Sequence, residues 1–199
     1  MGNLSLKTLP PPVPATDNPV LKTIFERRAV RKFRYKTVDR TLTDQLIEAG
    51  RMAPSAMNRQ PYRFIIIDNS KEIRDLSIEI MKVAEPLFHL AHKTNILEHD
   101  DAIFYNAPLV ILIAGPAHDD WAAMDIGMCA QNIMLSAKSL GLETCPVGFA
   151  ALVNQTPAVR TLRIEPGEKV YLALAAGYGE ESPVFHGRKH NNAVYLSKM

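Results

Sequence analysis

The chain has 199 residues, 47% hydrophobic and 22% charged, the composition of a globular protein rather than a disordered one, and it suits a domain burying about 70% of its unfolded surface. Lys plus Arg is 23 and Asp plus Glu is 21. A net charge of +2 is too small for a nucleic-acid-binding surface, so any basic site must be local. Cys129 and Cys145, the only two cysteines, form no Cys-x-x-Cys pair. That removes a zinc ribbon and a dithiol redox motif, and it fits a reducing, cytoplasmic location. Residues 1–19 hold one Lys and no long apolar run, unlike a secretory leader, and the uncharged stretch 107–117 is too short to span a bilayer.

In chain order, residues 1–19 carry Pro10, Pro11, Pro12, Pro14 and Pro19 and read as an extended arm, either a free tail or a strap on a partner subunit. Residues 20–199 read as a single domain. Asp17 or Asn18 before Pro19 signals a helix over about Val20–Arg28, with Val20, Leu21 and Ile24 facing inward. Thr43 is the expected N-cap of a second helix burying Leu46, Ile47 and Gly50 and ended by Pro54. Arg63–Asp68 is a β-branched run that predicts a buried strand. Ser70 is the expected cap of a third helix reaching Ala84, and residues 85–105 read as helical in part.

Leu109–Ala114 predicts a second buried strand. Trp121–Leu140 is the longest helical pattern, apolar on more than one face, which points to a large core or a subunit interface, and Gly141 is its natural C-cap. Thr144–Phe149 reads as strand and loop, 157–162 as a short helix before the Pro166–Gly167 turn, and Val170–Ala176 as a last strand. The alternation predicts an α+β or three-layer α/β domain around a mixed sheet.

Phosphate-loop, dinucleotide-binding, zinc-protease and nucleophile-elbow patterns are all missing. His89 and His92 have a ligand-like spacing but no carboxylate in register, so no metal site is expected. Four other segments carry polar groups. Arg27, Arg28 and Arg31 sit at the end of the first helix pattern, where Arg27 and Arg31 at i, i+4 could grip a phosphate. Alone, they fit a solvated basic helix end better. Ala53–Tyr62 brackets Ser55, Asn58 and Gln60 between two prolines, either as ligand contacts or as a self-bonded turn. Gly148, in Cys145–Phe149, lets backbone N–H groups approach a planar ligand. Arg188 and Lys189 form a second basic cluster, or an ordinary charged tail.

These segments occur in the order of one family. Arg-Arg-x-x-Arg-x-Phe (27–33), Ala-Pro-Ser-x-x-Asn-x-Gln-Pro (53–61), and Asp125-x-Gly127 leading to Gln131-Asn132 and Gly141-Leu142 together resemble the nitroreductase-like FMN-dependent oxidoreductases. The resemblance covers residues 20–196. It implies an α+β three-layer sandwich, a mixed, mainly antiparallel sheet flanked by helices, and an intertwined homodimer with FMN at the subunit interface. It assigns Arg27 and Arg188, with Lys189, to the FMN phosphate. Arg28 and Ala29 would lie along the ribityl and pyrimidine side, and Arg31 near flavin N1 and O2. The loop Pro54, Ser55, Ala56, Met57, Asn58 and Gln60 would arrive from the other subunit. Gly148 and Phe149 would donate toward N5, with Pro146 and Val147 over one ring face.

The implied reaction passes a hydride from NADH or NADPH, through flavin N5, to a small oxidised organic acceptor such as a nitroaromatic or quinone. No protein acid or base is required, because the cofactor carries the redox step. Ala29 stands where the family commonly has Ser, and Tyr62 where it commonly has Trp. Other readings are a specialised relative of the same fold (ene reductase, dehalogenase or flavin-fragmenting enzyme), a non-catalytic flavin-binding protein, and a purely structural dimerisation domain.

Overall fold

The computed structural model describes residues 17–90, 101–188, 192, 194 and 196. The first helix, α1 (Pro19–Glu26), starts at Pro19, and the Asn18 side chain accepts hydrogen bonds from the Val20 and Leu21 N–H groups. It stops short of Arg28 because Arg27 turns to extended backbone, with ψ 130°. None of its residues is buried. Val20, Leu21 and Ile24, expected to face inward, are 64%, 42% and 41% exposed, since the chain's own described residues do not cover that face.

Residues 28–33 then run beside the sheet. Ala29 forms a parallel bridge with Thr144, the Val30 N–H donates to the Thr144 carbonyl, and Phe33 bridges Gly179. Val30 and Phe33 are buried.

Helix α2 (Arg40–Arg51) starts earlier than expected. Asp39 flanks its N-terminus, and Thr43 is not a cap: it lies inside the helix, buried, with its hydroxyl donating to the Asp39 carbonyl. Thr43, Leu46, Ile47 and Gly50 form the i, i+3, i+4, i+7 stripe that faces the core. A Cβ on Gly50 would come within 2.9 Å of Ile133, so glycine permits the close approach there.

Strand β1 (Arg63–Ile67) precedes α3 (Ser70–Leu90). The side chain of Asn69, not Ser70, caps α3 by accepting from the Lys71 and Glu72 N–H groups. The helix also continues past Ala84 through Pro86. Strand β2 (Leu109–Pro116) leads to α4 (Ala122–Ser139). Gly141, at φ +77°, ends α4 in the left-handed conformation, and the Leu142 and Gly141 N–H groups return to the Ala137 and Lys138 carbonyls. Then come β3 (Glu143–Val147), 3-10 turns over Gly148–Gln155, α5 (Ala158–Thr161) and β4 (Glu168–Gly177).

The sheet order is β1-β2-β4-β3, with every neighbouring pair antiparallel. The Ala29–Thr144 bridge adds the one parallel contact among the described residues. The fold is therefore the expected α+β sandwich with a mainly antiparallel sheet.

Side chains on β2 alternate between two cores. Val110, Leu112 and Ala114 join α3 and the 3-10 turns on one face. Leu109, Ile111 and Ile113 join α2 and α4 on the other. Fully burying an Ile or Leu stabilises by about 1.5–3 kcal/mol, so both layers depend on this strand.

Two features fix the ends of the central strands, and each can be tested. A Cβ on Gly115 would lie 2.7 Å from the Pro61 carbonyl oxygen, so β2 and the 54–61 loop touch backbone to backbone. Gly115→Ala should cost about 1–3 kcal/mol in urea unfolding, because neither backbone can yield cheaply. At the start of β4, hydrogen bonding to Arg63 holds the Glu168 carboxyl below the usual carboxylate range. The folded pKa is depressed, so this stability is present above the unfolded Glu pKa and lost as pH falls through the folded one. Glu168→Gln should lower neutral-pH stability by about 0.5–1 kcal/mol, a value limited by partial exposure, and should flatten the acid limb of a stability–pH curve.

Candidate functional site

Because α1 stops at Glu26, Arg27 and Arg31 do not converge through helical spacing. The chain beyond Arg27 runs beside the sheet instead, where alternate residues share a side. Val30 points into the core, while Arg27 and Arg31 both lie within electrostatic reach of Cys145 on β3. The guanidinium Nη1 of Arg27 is buried without a hydrogen-bond partner. Burial first, then the nearby Arg28 and Arg188, lower its pKa. An unpaired buried donor in a cluster of like charges is costly, and an anion with several acceptor oxygens would relieve both problems.

Arg188 lies near enough to Arg27 to act on its charge, and its own Nη1 donates to the His186 carbonyl at 2.8 Å. Lys189 lies outside the described residues.

The Arg28 side chain turns elsewhere. Its Nη1 donates to the Phe25 and Arg27 carbonyls at 2.6 and 2.8 Å, and its guanidinium lies 4.9 Å from the centre of the Phe185 ring. It thus satisfies carbonyls left open at the end of α1. The Arg31 N–H donates to Glu181 at 2.5 Å. Burial works against the Arg31 charge, but Cys145, a hydrogen bond to the Tyr105 hydroxyl and Glu181 outweigh it and raise the pKa.

At the end of β3, Val147 is buried while Pro146, Gly148 and Phe149 are exposed. A Cβ added to Gly148 would meet nothing within 4 Å, so its backbone is open to a ligand. Burial pushes the Cys145 thiol pKa up, opposed by Arg31 and Arg27. Burial alone takes the Cys129 thiol to about 12, so it is an inert core group.

The 54–60 loop is a self-bonded turn. The Ser55 hydroxyl accepts from the Gln60 N–H at 2.9 Å, and the Gln60 amide donates to Asn58 Oδ1 at 3.1 Å. Met57, Asn58 and Gln60 all have positive φ, at 53°, 55° and 49°. Pro54, Met57, Asn58 and Gln60 face solvent, Met57 being 87% exposed, while Ser55 and Ala56 are half-buried. The loop precedes β1 at one edge of the sheet, whereas Arg27–Arg31 flanks β3 at the opposite edge. Within one chain the two segments do not meet.

Residues 24–178 match the family model described as the nitroreductase family. The chain belongs to the nitroreductase family. It is 27% identical to the 4-nitrobenzoate reductase of Pseudomonas putida, a match covering 80% of this chain and 85% of that protein. It is 26% identical to the nitrobenzene nitroreductase of Ectopseudomonas oleovorans, covering 88% and 91%. Its fold matches the crystal structure of a nitroreductase with bound FMN from Desulfitobacterium hafniense DCB-2, with TM-score 0.82 and 25% identity over 92% of this chain and 100% of that one.

Other groups in this nitroreductase-family fold escaped individual assignment in the sequence. Asp125, 2% exposed near the start of α4, accepts from the Ala56 N–H at 3.2 and 3.3 Å and so anchors the 54–60 loop. Its place in the Asp125-x-Gly127 motif was the available signal. Arg59 adds an ion pair to Asp119 at 2.8 Å. Tyr62 does not reach into the loop; its hydroxyl donates to the Arg51 and Ala53 carbonyls and ties down the end of α2. Among the described residues no cluster could hold a metal, and no helix is long and apolar enough to cross a membrane. His92 and the side chain of His89 lie outside the described residues. Asp125→Ala, which leaves the Ala56 N–H unpaired, should cost about 1–3 kcal/mol and speed amide hydrogen exchange selectively in residues 54–60.

Proposed function

We propose that this nitroreductase-family protein is an FMN-dependent NAD(P)H oxidoreductase that works as a homodimer. Its acceptor is an oxidised organic molecule of nitroaromatic or quinone type. The observation that carries this reading is the half-buried Arg27 side chain, whose buried Nη1 is unsatisfied near Arg28 and Arg188. FMN ends in a phosphate of nearly two negative charges, which suits that donor set. Arg27 and Arg188, with Lys189, hold the phosphate. Arg28 braces the end of α1 and, with Ala29, borders the middle of the cofactor. Arg31 presents a positive charge to the redox ring.

Bound FMN supplies the hydride exchange between NAD(P)H and the acceptor. The chain supplies position and field. The exposed backbone at Gly148 and Phe149 offers neutral N–H donors to the ring edge, and the exposed Pro146 covers one ring face, while Val147 packs in the core behind it. A fixed cation in a water-poor site stabilises developing negative charge without reorganising. Ser55, Ala56, Asn58 and Gln60, with Pro54 and Met57, complete the site from a second copy, because the same loop in one chain sits at the far edge of the sheet. The exposed apolar residues Val20, Leu21 and Ile24 on α1, Trp121 just before α4, and Met124 and Met128 on α4 support such an association. The two buried free cysteines fit a reducing compartment, and we assign the enzyme to the cytoplasm.

The purified protein should be yellow, run as a dimer, and lose its visible absorbance when NADH or NADPH is added without oxygen. Arg27→Ala should weaken FMN binding roughly 10- to 100-fold, the loss of a charged hydrogen-bond partner. A colourless protein that takes up no FMN would overturn the reading.

A further inference from the structure

The segment 101–106 is a turn locked from inside. Asp101, 2% exposed, accepts from the Phe104, Ile103 and Asn106 N–H groups at 2.8, 3.2 and 3.1 Å and from the Ser77 hydroxyl at 2.6 Å. The turn ends with Tyr105 and Asn106 at φ 60° and 55°. Asn takes that conformation readily, but a bulky residue such as Tyr105 holds it where the surroundings over-determine it. Such over-determined backbone clusters where a side chain must be aimed.

Here the side chain aimed is the Tyr105 ring, whose centre lies 5.9 Å from the Arg31 guanidinium carbon, within cation–π range. Of the other groups that act on that guanidinium, Glu181 is the carboxylate, and it favours the charge less than Cys145 and Tyr105 do. Cys145 is a buried thiol, and Glu181 accepts a hydrogen bond from the Arg31 backbone N–H. Among the described residues no carboxylate forms an ion pair with the Arg31 side chain. Burial, and then Cys145, raise the Tyr105 pKa, so the phenol stays neutral at physiological pH. A neutral aromatic ring can hold a cation in place, whereas a carboxylate in its position would cancel the charge.

We propose that Tyr105 is a positioning residue that holds the Arg31 guanidinium without neutralising it, keeping the full charge directed at the redox ring of bound FMN. This rests on the reading of Arg31 given above. Tyr105 acts through Arg31 and needs no contact with substrate.

The test measures the FMN dissociation constant and the two-electron midpoint potential of the bound flavin. It compares the holoprotein with Tyr105→Phe, Tyr105→Leu, Arg31→Gln and the Arg31→Gln/Tyr105→Leu double variant. Tyr105→Leu should reduce the preference for reduced over oxidised FMN about tenfold, a fall of about 30 mV for a two-electron couple. Tyr105→Phe, which loses the hydroxyl contact to Arg31 but keeps the ring, should shift the potential less than Tyr105→Leu. Arg31→Gln should lower it at least as much as Tyr105→Leu, and adding Tyr105→Leu to Arg31→Gln should change nothing further.

A merely structural role for Tyr105 would weaken both redox states of FMN equally and leave the potential unmoved. That result, or additive shifts in the double variant, overturns the proposal while FMN binding stands. An unshifted potential in Arg31→Gln overturns the Arg31 assignment and this proposal together. Absence of FMN from the wild-type protein overturns the parent reading as well.

Discussion

Burial of β2 and β4 on both faces is the constraint from which the rest of the molecule follows. Every residue from Leu109 to Ile113 is fully buried, as are Ala173 to Ala176. Strands enclosed in this way have no room for charged groups, which cannot be desolvated cheaply. Helices α2 and α4 must cover one face, and α3 with the 3-10 turns must cover the other. Polar chemistry is thereby driven to the sheet edges and to the loops that leave them. The arginine segment lies along β3 at one edge, and the proline-bracketed loop lies before β1 at the other. A ligand needing both has to be approached by two chains.

Much of this was legible in the amino-acid order. Long β-branched runs at 63–68 and 109–114 announced strands because little else explains a short, uninterrupted apolar run. The helix ending at Gly141 was legible because only a left-handed residue closes a helix in that way. Caps were less legible. Thr43 and Ser70 have the right chemistry for N-caps, but helix starts depend on which nearby polar residue leaves the helical backbone first. That residue was Asn69 for α3, and α2 starts after Asp39, with no side-chain cap bond. The inward face assigned to α1 failed for a different reason. Periodicity reveals that a face is apolar, not what covers it.

In the candidate site, residue types were legible and pairings were not. Three arginines within five positions are ambiguous on paper, and the fold separates them. Arg28 braces the helix end, Arg27 is left with an unsatisfied nitrogen, and Arg31 rests against Tyr105. Nothing near residue 31 points to residue 105, because the contact depends on Asp101 folding a distant segment back over Arg31. Asp125 was visible only as part of a motif, and its task became plain once α4 and the 54–60 loop came together.

The self-bonded loop from Ser55 to Gln60 has a further consequence for how binding is paced. Its left-handed residues and internal hydrogen bonds already restrict it to a narrow range of shapes before any partner arrives. The conformational entropy of ordering that segment is therefore lost when the chain folds and not when a ligand binds. A preorganised loop needs no slow rearrangement on encounter. For a ligand held there as proposed, exchange would be governed by how fast contacts break, so variation in this loop would tune residence time more than the speed of capture.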